Sequence, residues 1–158
     1  MGVLMVIVGI IFAVTVLPSE EKRVKKRFQL LSEWISKSPE ENPITMLQKM
    51  KDIGTLFVEP CELKAPHESL SGSYPRQEIS AYAGSARSHF FQLDFKFYDL
   101  HIAFPEKEVA KVTLTARLIG KSTAGEQVDE IRELECLLKK IDKKWFFNQI
   151  EVIEVLRK

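Results

Sequence analysis

Tyr98-Asp99-Leu100-His101 is the stretch of this sequence richest in side chains able to move protons. A carboxylate and an imidazole two residues apart on an extended chain project to the same side. Such a pair can act as general base and general acid if its surroundings tune both groups toward neutrality. The chemistry would be that of an isomerase, a dehydratase or a hydrolase, with the phenols of Tyr98 and Tyr82 as further donors. Other chemistry-bearing residues are scattered: His67, His89 and His101 show no metal-ligand spacing, and Cys61 and Cys136 form no CxxC pair. Buried free thiols are the expectation for the two cysteines, with a single bridge as the alternative in an oxidising compartment. A glycine-rich phosphate loop, a GxSxG elbow and an HExxH helix are absent. No metal and no cofactor are therefore expected.

Whether Asp99 and His101 face a dry interior depends on the phase of their strand. Phe95 and Phe97 share one face of an extended segment over 93–104, whereas Leu100, Ile102 and Phe104 share the other. A bulge near Tyr98 would turn both apolar sets inward and bend the strand. Asp99 and His101 would then point outward beside Glu133 and Glu135 as a solvated charge ladder. A bulge displaced by one residue would instead turn the pair inward.

The neighbouring segments supply the frame. Ala110, Val112, Leu114, Ala116 and Leu118 alternate with Lys111, Thr113, Thr115 and Arg117, and Leu134, Cys136 and Leu138 repeat the pattern. The closing strand from Trp145 to Leu156 is mixed in phase and calls for its own bulge. Short polar connections between these four strands predict antiparallel pairing. Before them, Val24, Phe28, Leu31 and Ile35 recur at helical spacing, widened by Leu30 and Trp34, with Ser19 as a cap and Glu20 and Glu21 in the first turn. Asn42-Pro43 starts a second helix whose apolar side is Met46, Leu47, Met50 and Ile53, with Gly54 suiting its C-terminal turn. A short strand follows over 56–63, then a turn or brief strand over 69–74. Pro75 opens a third helix with Ile79, Tyr82, Ala83, Ala86 and Phe90 on one stripe, where Gly84 permits close approach. The predicted fold class is α+β: three N-terminal helices packed on a strongly bent antiparallel sheet.

The chain has 158 residues, 45% of them apolar and 28% charged, with a net charge of +1. That suits one globular domain and offers no field to hold nucleic acid. Residues 1–17, MGVLMVIVGIIFAVTVL, lack any charged side chain and span about 25 Å as a helix, the short end of a bilayer's need. A basic start and a small-residue cleavage site are both missing, which favours an uncleaved single-pass anchor over residues 1–18 rather than a signal peptide. The domain proper then covers residues 19–158. Lys22, Arg23, Lys25, Lys26 and Arg27 flank the anchor and place the body in the cytoplasm; a basic leader ahead of Met1 would place it in the periplasm. The same cluster can sit on anionic headgroups or form the solvated face of the helix.

Three phrases, SGSYPRQEI, AKVTLTARLIGK and ELECLLKKIDKKWFFNQIEV, together with the order of elements, resemble the nuclear transport factor 2-like superfamily, the cystatin-like cone that includes SnoaL-like proteins. The closer likeness is to a bacterial, membrane-anchored member. The resemblance covers roughly residues 20–158 and implies a pocket between the concave sheet and the helices. Its enzymes carry paired acids, a histidine or a tyrosine there. In this chain Trp34, Val112, Leu114, Ala116, Leu134 and Cys136 are the expected pocket residues, and none of them is an acid–base group. Where the family's last hairpin often reads Asp-Gly-Lys-Trp, Lys143 holds the glycine slot. Trp145 reads as the apolar start of the closing strand. The expected function is a non-enzymatic, membrane-tethered module that binds a small apolar ligand or a protein partner. The alternatives are a small-molecule enzyme using Asp99 and His101, with Tyr98 or Tyr82, and a homodimeric assembly domain.

Overall fold

The computed structural model describes the backbone of residues 2–65 and 71–156 and the side chains of residues 19–65 and 71–153. The side chains of the membrane anchor expected over residues 1–17 and the loop position of His67 lie outside the described residues. Among the described residues no helix is long and apolar enough to cross a membrane.

Helix α1 runs without a break over Gly2–Ile35, so Ser19 is an interior residue and not the cap it was expected to be. Val24, Phe28 and Leu31 are buried from this helix, with Leu30, Trp34 and Ile35 packed against them. Helix α2 spans Pro43–Gly54, and Asn42 accepts a hydrogen bond from the Thr45 amide at 2.8 Å, the cap its sequence predicts. Its cap at the other end is Thr55 rather than a left-handed glycine. Leu47, expected on its apolar side, is 62% exposed, because only Ile53 and Gly54 reach the core.

Strands β1 (Phe57–Lys64) and β2 (Gly72–Tyr74) precede helix α3 (Arg76–Ser88). The inward side of α3 carries Ile79, Gly84 and Arg87 with Ala83 packed against the core, a stripe that keeps Ile79 and Ala83 of the expected set but is rotated away from the exposed Tyr82 and Ala86. The rotation follows from its packing on α2, where a Cβ on Gly84 would collide with the Met50 side chain. Phe90, expected to end this helix, begins the next strand.

Four long strands complete the chain: β3 (Phe90–Glu106), β4 (Val109–Ser122), β5 (Gln127–Ile141) and β6 (Lys144–Leu156). The six-stranded sheet has the order β2-β1-β6-β5-β4-β3. The meander is antiparallel as its short connections require, but β1 lies parallel to β6. Here the all-antiparallel expectation fails: β1 and β6 are far apart in sequence, so no tight turn dictates their relative direction.

Both predicted bulges are present. The β3–β4 register shifts between Tyr98 and His101, with Asp99 in the left-handed region at φ 54°. The β5–β6 register shifts twice, opposite Glu133/Leu134 and Leu137/Leu138. At the β5–β6 turn Asp142 and Lys143 both have positive φ, 50° and 68°. Lys143 thus adopts a conformation that favours glycine, a strain of roughly 1 kcal/mol.

Two buried carboxylates fasten the elements together, one between α1 and the sheet and one among the helices. Glu20 accepts hydrogen bonds from Trp145 Nε1 at 2.6 Å and Lys140 Nζ at 3.0 Å. It does not occupy a solvated first turn; it pins α1 to the β5–β6 hairpin. Glu41 receives Nη2 of the fully buried Arg87 at 2.7 Å and Lys49 Nζ at 2.9 Å. Arg87 also donates to the carbonyls of Ile35 and Ser36, each at 3.0 Å, closing the end of α1 onto α3.

Burial works to raise the pKa of each carboxylate. Hydrogen bonds outweigh it, from Lys140 and Trp145 at Glu20 and from Lys49 and Arg87 at Glu41, so both sit below their ordinary value of 4.5. A depressed folded-state pKa contributes stability that is complete above 4.5 and drains away as pH falls below it. The melting temperature should therefore fall steeply below that pH, and Glu20→Gln with Glu41→Gln should lower it at neutral pH while flattening the acid limb. An acid limb as steep in the double variant as in the parent would remove these two carboxylates from the stability balance.

Candidate functional site

The inner face of the sheet and the three helices enclose a hollow of about 400 Å³. Its walls follow from the elements just described. Helix α1 contributes Phe28, Leu31 and Ile35; the bulged β3 contributes Phe95 and Phe97; β5 contributes Leu134 and Cys136; β6 contributes Phe147, Ile150 and Val152. Phe28 stands edge-on to Phe97 at 5.3 Å and to Phe147 at 4.9 Å between ring centres, so the aromatic part of the wall is locked by quadrupolar contacts.

Of the pocket residues expected from sequence, Ala116, Leu134 and Cys136 line this hollow. Val112 and Leu114 are buried in the same sheet face without reaching it, and Trp34 packs partly buried against the core from α1.

The proton-moving candidates lie elsewhere. Asp99 and His101 are exposed on either side of Leu100, which turns inward. His101 pairs with Thr113, and Thr113 with Glu135, which places it in the outward ladder. Tyr98 is 44% exposed opposite Thr115. Tyr82 reaches the rim of the hollow, 56% exposed and edge-on to Tyr74 at 5.4 Å. Among the described residues, no carboxylate and no imidazole lines the hollow, and no cluster of His, Cys, Asp and Glu could hold a metal.

One polar wall residue was missed: Arg132. It continues the inward alternation of Leu134 and Cys136 one step back along β5, so the same period-2 rule would have found it. Its Nη2 donates to Glu130 at 2.9 Å and its Nη1 to the Ile131 carbonyl at 3.1 Å. Sequence reading also missed the Arg87–Glu41 and Glu20–Trp145 pairs. Arg87 had a signal, standing one turn beyond Ala83 on the inward side of α3.

Both cysteines are free and buried. Burial pushes the Cys61 thiol up to about 12 and raises that of Cys136 further. At neutral pH neither supplies a thiolate, which removes Cys136 as a nucleophile toward anything held in the hollow.

No known protein family matches the sequence, and no curated protein matches it. Solved structures do match in shape. A putative scytalone dehydratase from Novosphingobium aromaticivorans superposes with a TM-score of 0.68 at 18% identity, covering 88% of this chain and 85% of that one. A protein from Kribbella flavida gives a TM-score of 0.73 at 9% identity over 89% and 93% of the two chains. A hexachlorocyclohexane dehydrochlorinase gives 0.67 at 7% identity over 87% and 88%. Identities this low speak for architecture alone, and on that evidence the protein has the nuclear transport factor 2-like cone fold.

Proposed function

We propose that the protein is a non-enzymatic binding module that holds a small apolar ligand in its cone and is carried on a membrane by residues 1–17. The observation behind the ligand reading is the wall of the hollow: aliphatic and aromatic side chains, one buried thiol, one guanidinium and one phenol at the edge, and, among the described residues, no carboxylate or imidazole. A volume of about 400 Å³ lies within the range of small-molecule sites, and such a lining captures by desolvation rather than by chemistry. Arg132 gives the ligand's orientation a polar reference if the ligand carries an acceptor at one end. The names of the dehydratase and dehydrochlorinase neighbours support the second reading, a small-molecule lyase. Against it stands the exposure of Asp99 and His101.

Binding of an environment-sensitive apolar dye to the full chain tests the ligand reading. Ala116→Trp and, separately, Ala83→Phe fill the hollow from opposite walls. Each should weaken dye binding by about tenfold or more, near 1.4 kcal/mol, with the fold monitored by circular dichroism. Asp99→Ala with His101→Ala should leave binding unchanged. Unaltered binding in both folded filling variants, or loss of binding in the Asp99/His101 variant, would place the ligand site outside the cone.

A further inference from the structure

The charges of this chain nearly cancel in number but not in space. Helix α1 brings Lys22, Arg23, Lys26 and Arg27 to one wall of a second cleft, of about 480 Å³, and the β5–β6 turn brings Lys143 and Lys144 to the other. Two basic segments more than a hundred residues apart in sequence thus face one another, and like charges at such range repel.

They are held there by the Glu20 clamp. Its carboxylate bonds Trp145 at the foot of the hairpin and Lys140 on the strand leading into it, so the hairpin tip cannot swing away from α1. That carboxylate is committed inside, to those two groups and to Arg23 at 3.3 Å. Lys22, Lys26, Lys143 and Lys144 are exposed, with no carboxylate partner among the described residues. Lys143 moreover occupies a strained left-handed position that glycine would fill without cost. The same helix begins within the uncharged apolar run that ends at Leu17, five positions before Lys22.

We propose that this end of the domain, α1 together with the β5–β6 turn, is a platform that docks on the negatively charged headgroups of a bilayer. An apolar segment and an unneutralised basic face side by side match a partner that is greasy within and anionic on its surface, which a soluble polyanion is not. Docking would fix the orientation of the cone relative to the membrane, beyond what a single helix imposes. The inference deepens the proposed tether and is independent of what the cone holds.

The test uses the full chain with a fluorescent label on Ile141→Cys; both native thiols are buried and unreactive. Flotation with phosphatidylcholine vesicles reports the tether alone. Quenching of the label by a headgroup-quencher lipid, in vesicles with and without about a third phosphatidylglycerol, reports docking. Quenching should appear with the anionic lipid and weaken at high salt. Lys143→Gln with Lys144→Gln should lower the docked-to-undocked ratio by roughly 25-fold, about fivefold per charge, with flotation unchanged. Quenching that ignores lipid charge, or that survives the double substitution, would overturn the platform. So would chain that binds soluble polyphosphate yet leaves the label unquenched on anionic vesicles. Absence of flotation on neutral vesicles with charge-dependent docking on anionic ones would sink the tether and leave the platform standing.

Discussion

A single residue in the left-handed region decides what the cone can do. At Asp99, with φ 54°, strand β3 slips its register against β4. Phe95 and Phe97 before the slip and Leu100, Ile102 and Phe104 after it all pack against the same core. An unbroken strand would have put one of those sets in water, and with Phe95 and Phe97 kept inward it would have turned Asp99 and His101 inward with them. Covering five large apolar side chains rather than three or two outweighs the cost of roughly 1 kcal/mol for a non-glycine residue at positive φ. Aspartate is among the residues that tolerate that conformation best. The bend that makes the sheet concave and the exclusion of an acid–base pair from its hollow are thus one event.

Charge is used in this fold to fasten rather than to react. Arg87 is wholly buried and would be prohibitive alone; Glu41 and two backbone carbonyls offset most of that cost, while its Nη1 is left without a partner among the described residues. The result locks the exit of α1, the loop before α2 and the end of α3 into one unit. Glu20 performs the matching service at the opposite end, where Trp145 satisfies its indole N–H without leaving the core. Glu20 holds α1 to the sheet and the Arg87 cluster holds the helices to one another above the hollow. The Glu20 tie also sets the basic hairpin against the basic helix.

Much of this was legible in the chain and some was not, for physical reasons. Period-2 alternation fixed the inner faces of β4 and β5, and the phase clash between Phe97 and Leu100 announced the bulge. The roles of Glu20 and Glu41 were invisible because local rules assign such residues to helix starts and polar breaks; their partners arrive from Trp145, Lys140 and Arg87 across long sequence separations. Leu47 and Tyr82 failed differently. A helical stripe fixes which residues share a face but not the rotation of that face, and the close α2–α3 packing at Gly84 and Met50 set the rotation. The parallel β1–β6 pairing had no local signal at all. Arg132 was legible and overlooked, one step beyond where the alternation was followed.

Cysteine accessibility along β3 tests the phase reversal most directly. Single substitutions at Phe97, Tyr98, His101 and Ile102 can be reacted in turn with a maleimide, since Cys61 and Cys136 are buried. The expected result is rapid labelling at positions 98 and 101 and protection at 97 and 102. Protection at His101→Cys with rapid labelling at Ile102→Cys would mean that the imidazole faces the hollow, and the protein would have to be understood as a catalyst.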